Sequence, residues 1–288
     1  MERIMEIRTD LAVEAREAFR GQEEEIRGVV LHEKWEEELE LKVSKVVIET
    51  KNGSKIMGKP IGTYITLESP YLCDNEEEHH HRIAACLAEE LRQIIPKQDE
   101  EKSVLVVGLG NRDVTADALG PATIDHLFIN RHIILEYGKA AYEKERMNLI
   151  SSIVPGVMAR TGMESAEIVR GIVSQTKPDL ILAIDALAAH STKRLNRTIQ
   201  ITDTGIHPGS GVGNHRHAMT KDSLGIPVIA IGIPTVVDAA TIVQDAVKDW
   251  KNTTELSNMY VTGKDIDAVI ATLSLTLAEA VNEALNFD

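Results

Sequence analysis

The stretch Val104-Leu-Val-Val-Gly-Leu-Gly-Asn-Arg-Asp-Val-Thr-Ala-Asp-Ala-Leu-Gly-Pro121 decides how this chain folds. An apolar run fit for a buried strand ends in Gly108-Leu-Gly110-Asn111, and a helix-like segment follows. Open α/β sheets gather ligands and chemistry outside the carboxyl ends of such strands. The loop presents Asp113 and Asp117 at that edge. A second apolar run, Leu180-Ile-Leu-Ala-Ile184, leads directly into Asp185. Two strands that each deliver a carboxylate to one rim point to acid/base hydrolysis more than to nucleotide binding.

The glycine loop is not a dinucleotide fingerprint. Asp113 occupies the third glycine position, where it holds the following helix off the strand and sets a carboxylate against a pyrophosphate. A phosphate loop of the G-x-x-x-x-G-K-[ST] type is also missing. The plainer reading, in which the glycines only turn the chain and the acids cap a helix, is preferred for Asp113. It is weaker for Asp117, because Gly120-Pro121 opens a new segment just after it.

Hydrophobic residues make up 43% of the 288 residues and aromatics only 3%. Packing must therefore rest on Ile, Leu, Val and Ala, which suits a largely parallel sheet covered by helices. With 45 acids against 31 bases and a net charge of −14, nucleic acid is not expected as a direct partner. Cys73 and Cys86 are too few for a disulfide framework or a four-cysteine zinc site. The first twenty residues carry charges throughout, and no window of eighteen uninterrupted apolar residues occurs. A soluble, cytoplasmic protein without a membrane partner is the expectation.

Along the chain, Leu11–Glu24 reads as a helix, Lys42–Glu49 and Tyr64–Leu67 as strands, and Asn52-Gly53 as a hairpin turn. An antiparallel subsheet within about 25–70 follows. Helical spacing marks 76–95, 122–134, 164–175, 238–250 and 265–285. Leu180–Ile184, Thr198–Ile201 and Val228–Ile231 are further strands. The fold class is a three-layer α/β/α arrangement around a mostly parallel sheet.

Asp117 and Asp185 lie 185 − 117 = 68 residues apart. A carboxylate at a buried strand end is costly unless it is hydrogen-bonded, protonated or paired. If the two strands are neighbours the acids can meet, and then one keeps its proton while the other stays basic. Such a pair activates water and polarises a peptide carbonyl. The plainer alternative for Asp185 is a helix N-cap.

Thr202-Asp-Thr-Gly-Ile-His-Pro-Gly-Ser-Gly-Val-Gly-Asn-His-Arg216 is a turn-rich tract holding His207 and His215, with His217 just after it. Ser210 lies in G-S-G, not in the elbow that exposes a hydrolase serine. No H-E-x-x-H pattern occurs. Asn111, His207, Ser210 and Arg216 are taken as substrate-binding candidates, against a purely structural loop. His79-His-His81 faces three directions on a helix and is no metal site. Cys73 and Cys86 lack a histidine partner that would activate a thiolate.

These tracts, with Asp185-Ala-Leu-Ala-Ala189, Ile226-Pro-Val-Ile-Ala-Ile-Gly-Ile-Pro-Thr-Val-Val-Asp238 and Arg8-Thr-Asp-Leu-Ala-Val-Glu-Ala15, resemble the spore germination proteases of endospore-forming bacteria. The resemblance implies an endopeptidase that starts the degradation of small acid-soluble spore proteins, in the cytoplasm of the forespore or spore core. It implies a homotetramer, no cofactor and no bound metal. It also implies a self-processing zymogen with a pro-segment 1–10, cut at Asp10–Leu11, and a single catalytic domain 11–288. In that family the positions matching Asp117 and Asp185 are proposed as an aspartic-type pair. In the hydrogenase-maturation peptidases, which share the fold, the matching acids bind metal. Arg112-Asp113 departs from the family's less charged glycine loop. A site that reads an acidic side chain at the cut needs a cationic or donor-rich pocket, for which Arg112, Arg216 and Lys221 are candidates. Two rival readings stay open: a metallopeptidase using the same acids plus His207, and a non-catalytic module that binds spore proteins.

Overall fold

The computed structural model describes residues 11–17, 26–74, 76–97, 100–189, 191–207, 217–246, 256 and 259–286. Nine strands among them form one sheet: β1 Val29–Glu36, β2 Leu41–Ile48, β3 Gly62–Glu68, β4 Ser103–Gly108, β5 Leu149–Ile153, β6 Leu180–Ala189, β7 Thr198–Thr202, β8 Val228–Asp238 and β9 Tyr260–Val261. Their order is β1-β2-β3-β7-β8-β6-β4-β5, with β9 paired to β8. The pairs β5–β4, β4–β6 and β6–β8 are parallel. The N-terminal strands are antiparallel and join the same sheet through β3–β7.

Alternation along the strands assigns each side chain to a layer. Val104, Val106, Leu180, Leu182 and Ile184 point into one core with Ile83, Leu87, Leu273 and Leu277. Those last four belong to the helices Glu77–Ile94 and Ile266–Leu285. Leu105, Val107, Ile181 and Ala183 point into the other, against Ala166 and Val169 of the helix Ser165–Thr176. The three expected layers are present. Ile266–Leu285 is long and apolar enough to cross a membrane by length and composition; here it buries Leu273, Leu277 and Val281 in the core.

Several elements differ from the sequence reading. Asn52-Gly53 lies in the helix Lys51–Met57, not in a hairpin, because Thr50 caps that helix by accepting the Gly53 amide at 3.1 Å. The helix expected over 122–134 is two, Leu119–Ile124 and Arg131–Tyr137. The buried Asn130 interrupts it, accepting from the Ile150 amide at 2.7 Å and donating to the Asn148 carbonyl at 2.9 Å. The expected helix 11–24 is described over Ala12–Glu17, and 238–250 over Ala239–Ala246 with Asp238 closing β8; residues 18–24 and 247–250 lie outside the described residues. Strand β6 does not stop at Ile184 but continues to Ala189 beside β8.

Candidate active site

The chain order of the parallel strands creates a crevice. From β4 the chain moves to β5 on one side, then crosses back to β6 on the other. Ligands bind outside the carboxyl ends at such a reversal. The last β4 residue, Gly108, pairs with Ile184, one residue before Asp185. Asp185 therefore stands where β4 ends and β6 runs on, 6% exposed, with Oδ1 accepting the Ala186 amide at 3.0 Å. This strand geometry replaces the helix N-cap alternative.

The glycine loop brings Asp117 to the same edge. Leu109 donates its amide to Ile184 O at 2.8 Å, and Asn111 donates to Asp117 O at 2.9 Å. Gly110, at φ 119°, packs so tightly that an added Cβ would lie 1.9 Å from Asp117 O and 3.2 Å from its Oδ1. Contrary to the expectation that Asp113 holds the helix away, Leu119–Ile124 approaches β4 closely. A Cβ on Gly108 would meet Gly120 O at 2.6 Å, so Gly108 and Gly120 permit the contact that the missing third glycine was thought to forbid. Thr235 of β8 donates to Ala116 O at 2.5 Å and ties the turn to a third strand.

The other candidates fall as follows. Asn111 shapes the loop, its Oδ1 accepting the Asp113 amide at 3.1 Å. Asp113 pairs with Arg160. Arg112 forks onto Asp125 at 2.6 and 2.8 Å, which holds the Asp125 carboxyl below its usual range, so Arg112 is already engaged. His207 lines a recess over β3, β7 and β8 to which β6 contributes Leu187. Lys221 opens the short helix Lys221–Leu224. Ser210, Arg216 and Asp10 lie outside the described residues. Leu11 is fully buried, and Ala12 donates its amide to Gln200 Oε1 at 2.7 Å.

The histidine triplet diverges only in part: His79 and His80 both reach Asp74, His80 is buried against Thr276 rather than solvated, and His81 meets Glu279. Among the described residues, no group of three or more His, Cys, Asp or Glu side chains is placed to hold a metal ion. Burial pushes the Cys73 and Cys86 thiols up, away from thiolate reactivity. Gln200, Lys59 and Arg194 escaped the sequence reading. The one signal for Gln200 was a polar residue in the alternating strand Thr198-Ile-Gln-Ile-Thr202.

Comparison with known proteins places this architecture. The germination protease family model matches residues 5–250. A germination protease from Caldanaerobacter subterraneus is 41% identical over 98% of this chain and 95% of its own length. One from Bacillus subtilis is 46% identical over 84% of this chain and 66% of its own length. Among solved structures, a nickel–iron hydrogenase maturation protease from Thermococcus kodakarensis aligns with 67% of this chain and 98% of that one, at 16% identity and a TM-score of 0.34, too distant to transfer any role. With a family model spanning most of its length and relatives above 40% identity, this chain belongs to the germination protease family, whose members are peptidases.

Proposed function

We propose that the chain is an aspartic-type endopeptidase in which Asp117 and Asp185 share one proton. The observation that carries this reading is the bond from Leu109 to Ile184 O, which locks the loop bearing Asp117 to the strand bearing Asp185 at the β4–β6 switch point. Two carboxylates at one edge do not ionise independently, so one acts as base toward water and the other donates to the peptide oxygen. The resulting gem-diol collapses when the departing nitrogen takes a proton.

Small acid-soluble spore proteins are the proposed substrates, cut during germination in the spore core, by a homotetramer made as a zymogen. The bond Asp10–Leu11 is the proposed self-cleavage site. Purified Asp117→Asn and Asp185→Asn chains, incubated with such a substrate, test the pair. Each is expected to lose substrate cleavage and removal of residues 1–10 together, by at least about 10³-fold. Full activity in either variant removes the pair from the mechanism, and intact substrate with the parent chain removes the protease reading in favour of a binding module.

A further inference from the structure

We propose that Thr235 is a positioning residue for the carboxylate pair: a bulge in β8 aims its hydroxyl at the peptide preceding Asp117 and so sets how closely Asp117 approaches Asp185. The assignment rests on the reading of Asp117 and Asp185 as a pair that shares one proton.

The bulge follows from the sequence. Strand β8 lies between β6 and β7, and its tract Ile233-Pro-Thr-Val-Val237 sets a proline in a central strand. Proline has no amide to give to a ladder, and within sheets it gathers at edges and bulges. Leu187 pairs with Pro234, but the next residue, Ala188, pairs with Val236, which leaves Thr235 as the extra residue. Such a residue drops out of the ladder and points its side chain in a new direction, a device common beside active sites. Thr235 is fully buried, and its polar groups are committed. The hydroxyl donates to Ala116 O at 2.5 Å, and the carbonyl accepts the Thr262 hydroxyl at 2.7 Å.

The acceptor is well placed for control of Asp117. Ala116 O belongs to the peptide whose N–H is that of Asp117, and this N–H donates to Val114 O at 2.7 Å. A peptide held at both its oxygen and its nitrogen has a fixed plane, and each bond strengthens the other. The direction in which the Asp117 side chain leaves the turn is fixed with it. On the following peptide, Asp117 O accepts the Asn111 amide at 2.9 Å, from the loop that leaves β4. The strand order runs β8-β6-β4, so the turn is tied on both flanks of β6, the strand that bears Asp185. Without the Thr235 hydroxyl the tie to β8 is gone and the turn can draw back. A displacement of about 1 Å costs up to about 100-fold in rate.

The spacing of the acids also sets the working pH range. Two carboxylates held together have apparent pKa values pushed apart, and separating them brings the two values closer. The pair acts with one proton bound, so a looser pair works over a narrower range.

The test measures kcat and KM on a fluorogenic peptide copying residues 6–15, through both limbs of the pH profile, for the full chain and its Thr235→Val and Thr235→Ser variants. Thr235→Val keeps the shape and removes the donor. Its kcat should fall about 10–100-fold with KM little changed, and its bell should narrow on both limbs. Thr235→Ser, which returns the hydroxyl, should regain most of the rate and the parent's width. A Thr235→Val profile equal to the parent's, a fall matched by Thr235→Ser, a fall confined to KM, or a slower rate without narrowing overturns the positioning role and leaves the carboxylate pair standing. A parent profile that lacks two limbs, or full activity in Asp117→Asn, overturns the pair and the positioning role with it. Should Thr235→Val lack a cooperative melt by circular dichroism, Thr262→Val, which frees the carbonyl of the bulge, is read against the same criteria.

Discussion

Gly120 presses its α-carbon against Ile184, so closely that an added Cβ would stand 2.5 Å from the Ile184 carbonyl oxygen. The same Cβ would meet Leu109 O at 2.4 Å and Leu109 N at 2.6 Å. All three atoms are backbone and cannot rotate away, so the turn carrying Asp117 must shift. Gly120→Ala is expected to cost about 1–3 kcal/mol and to lower kcat/KM by more than the thermal shift alone explains. A melt and an assay on the one preparation check both. An unchanged melt would show that the loop is not pinned at this point.

The two aspartates, acting as one unit, should not contribute independently. If either substitution already disables the shared proton, the double variant Asp117→Asn/Asp185→Asn loses no more than the worse single one. Peptide turnover of all three proteins, measured side by side, is the readout. Losses that multiply would mean separate roles and would end the shared-proton reading.

The strand ends were legible because a buried apolar run closing on glycines and acids has few alternatives. Leu180–Ile184 read as a strand, but its continuation did not, since Ala186-Leu-Ala-Ala189 carries no strand-specific pattern. Strand β5, Leu149-Ile-Ser-Ser-Ile153, was silent because its serines mask the alternation. Asn52-Gly53 misled because a turn dipeptide reports local preference, while Thr50 and the burial of Gly53 against Gly28 O decided the outcome. Gln200 and Lys59 lie 141 positions apart (200 − 59) and line one recess through the β3–β7 pairing, which no local pattern announces.

His81, on the helix Glu77–Ile94, offers a pH-dependent handle. Its Nδ1 lies 2.7 and 2.8 Å from the Glu279 carboxylate oxygens, and its Nε2 lies 3.4 Å from Glu77. The hydrogen bond to Glu279 raises its pKa above 6.5. A raised folded-state pKa stabilises fully below the unfolded value and fades as pH rises through the folded one. Glu279→Gln should therefore lower the melting temperature modestly at pH 5.5 and leave it unaltered at pH 9. Equal effects at the two pH values would mean that the contact is not ionic.

Arg194 holds the segment that follows Asp10 in place. Its Nε lies 2.8 Å from Glu68 Oε1, and Nη1 lies 3.5 Å from Glu14 Oε1. The Glu14 side chain is only 7% exposed and that of Arg194 only 14%. Removing the guanidinium takes a cation from beside a buried carboxylate, a loss of about 3 kcal/mol. Arg194→Met is thus expected to melt well below the parent chain, and adding Glu14→Gln should recover part of the difference, because the buried charge is then gone. Limited proteolysis should also cut after Leu11 faster in Arg194→Met, since Glu14 anchors the turn that buries Leu11 and Ala12. If Glu14→Gln gives no recovery, the destabilisation comes from lost packing of the arginine stem and the ion pair is incidental.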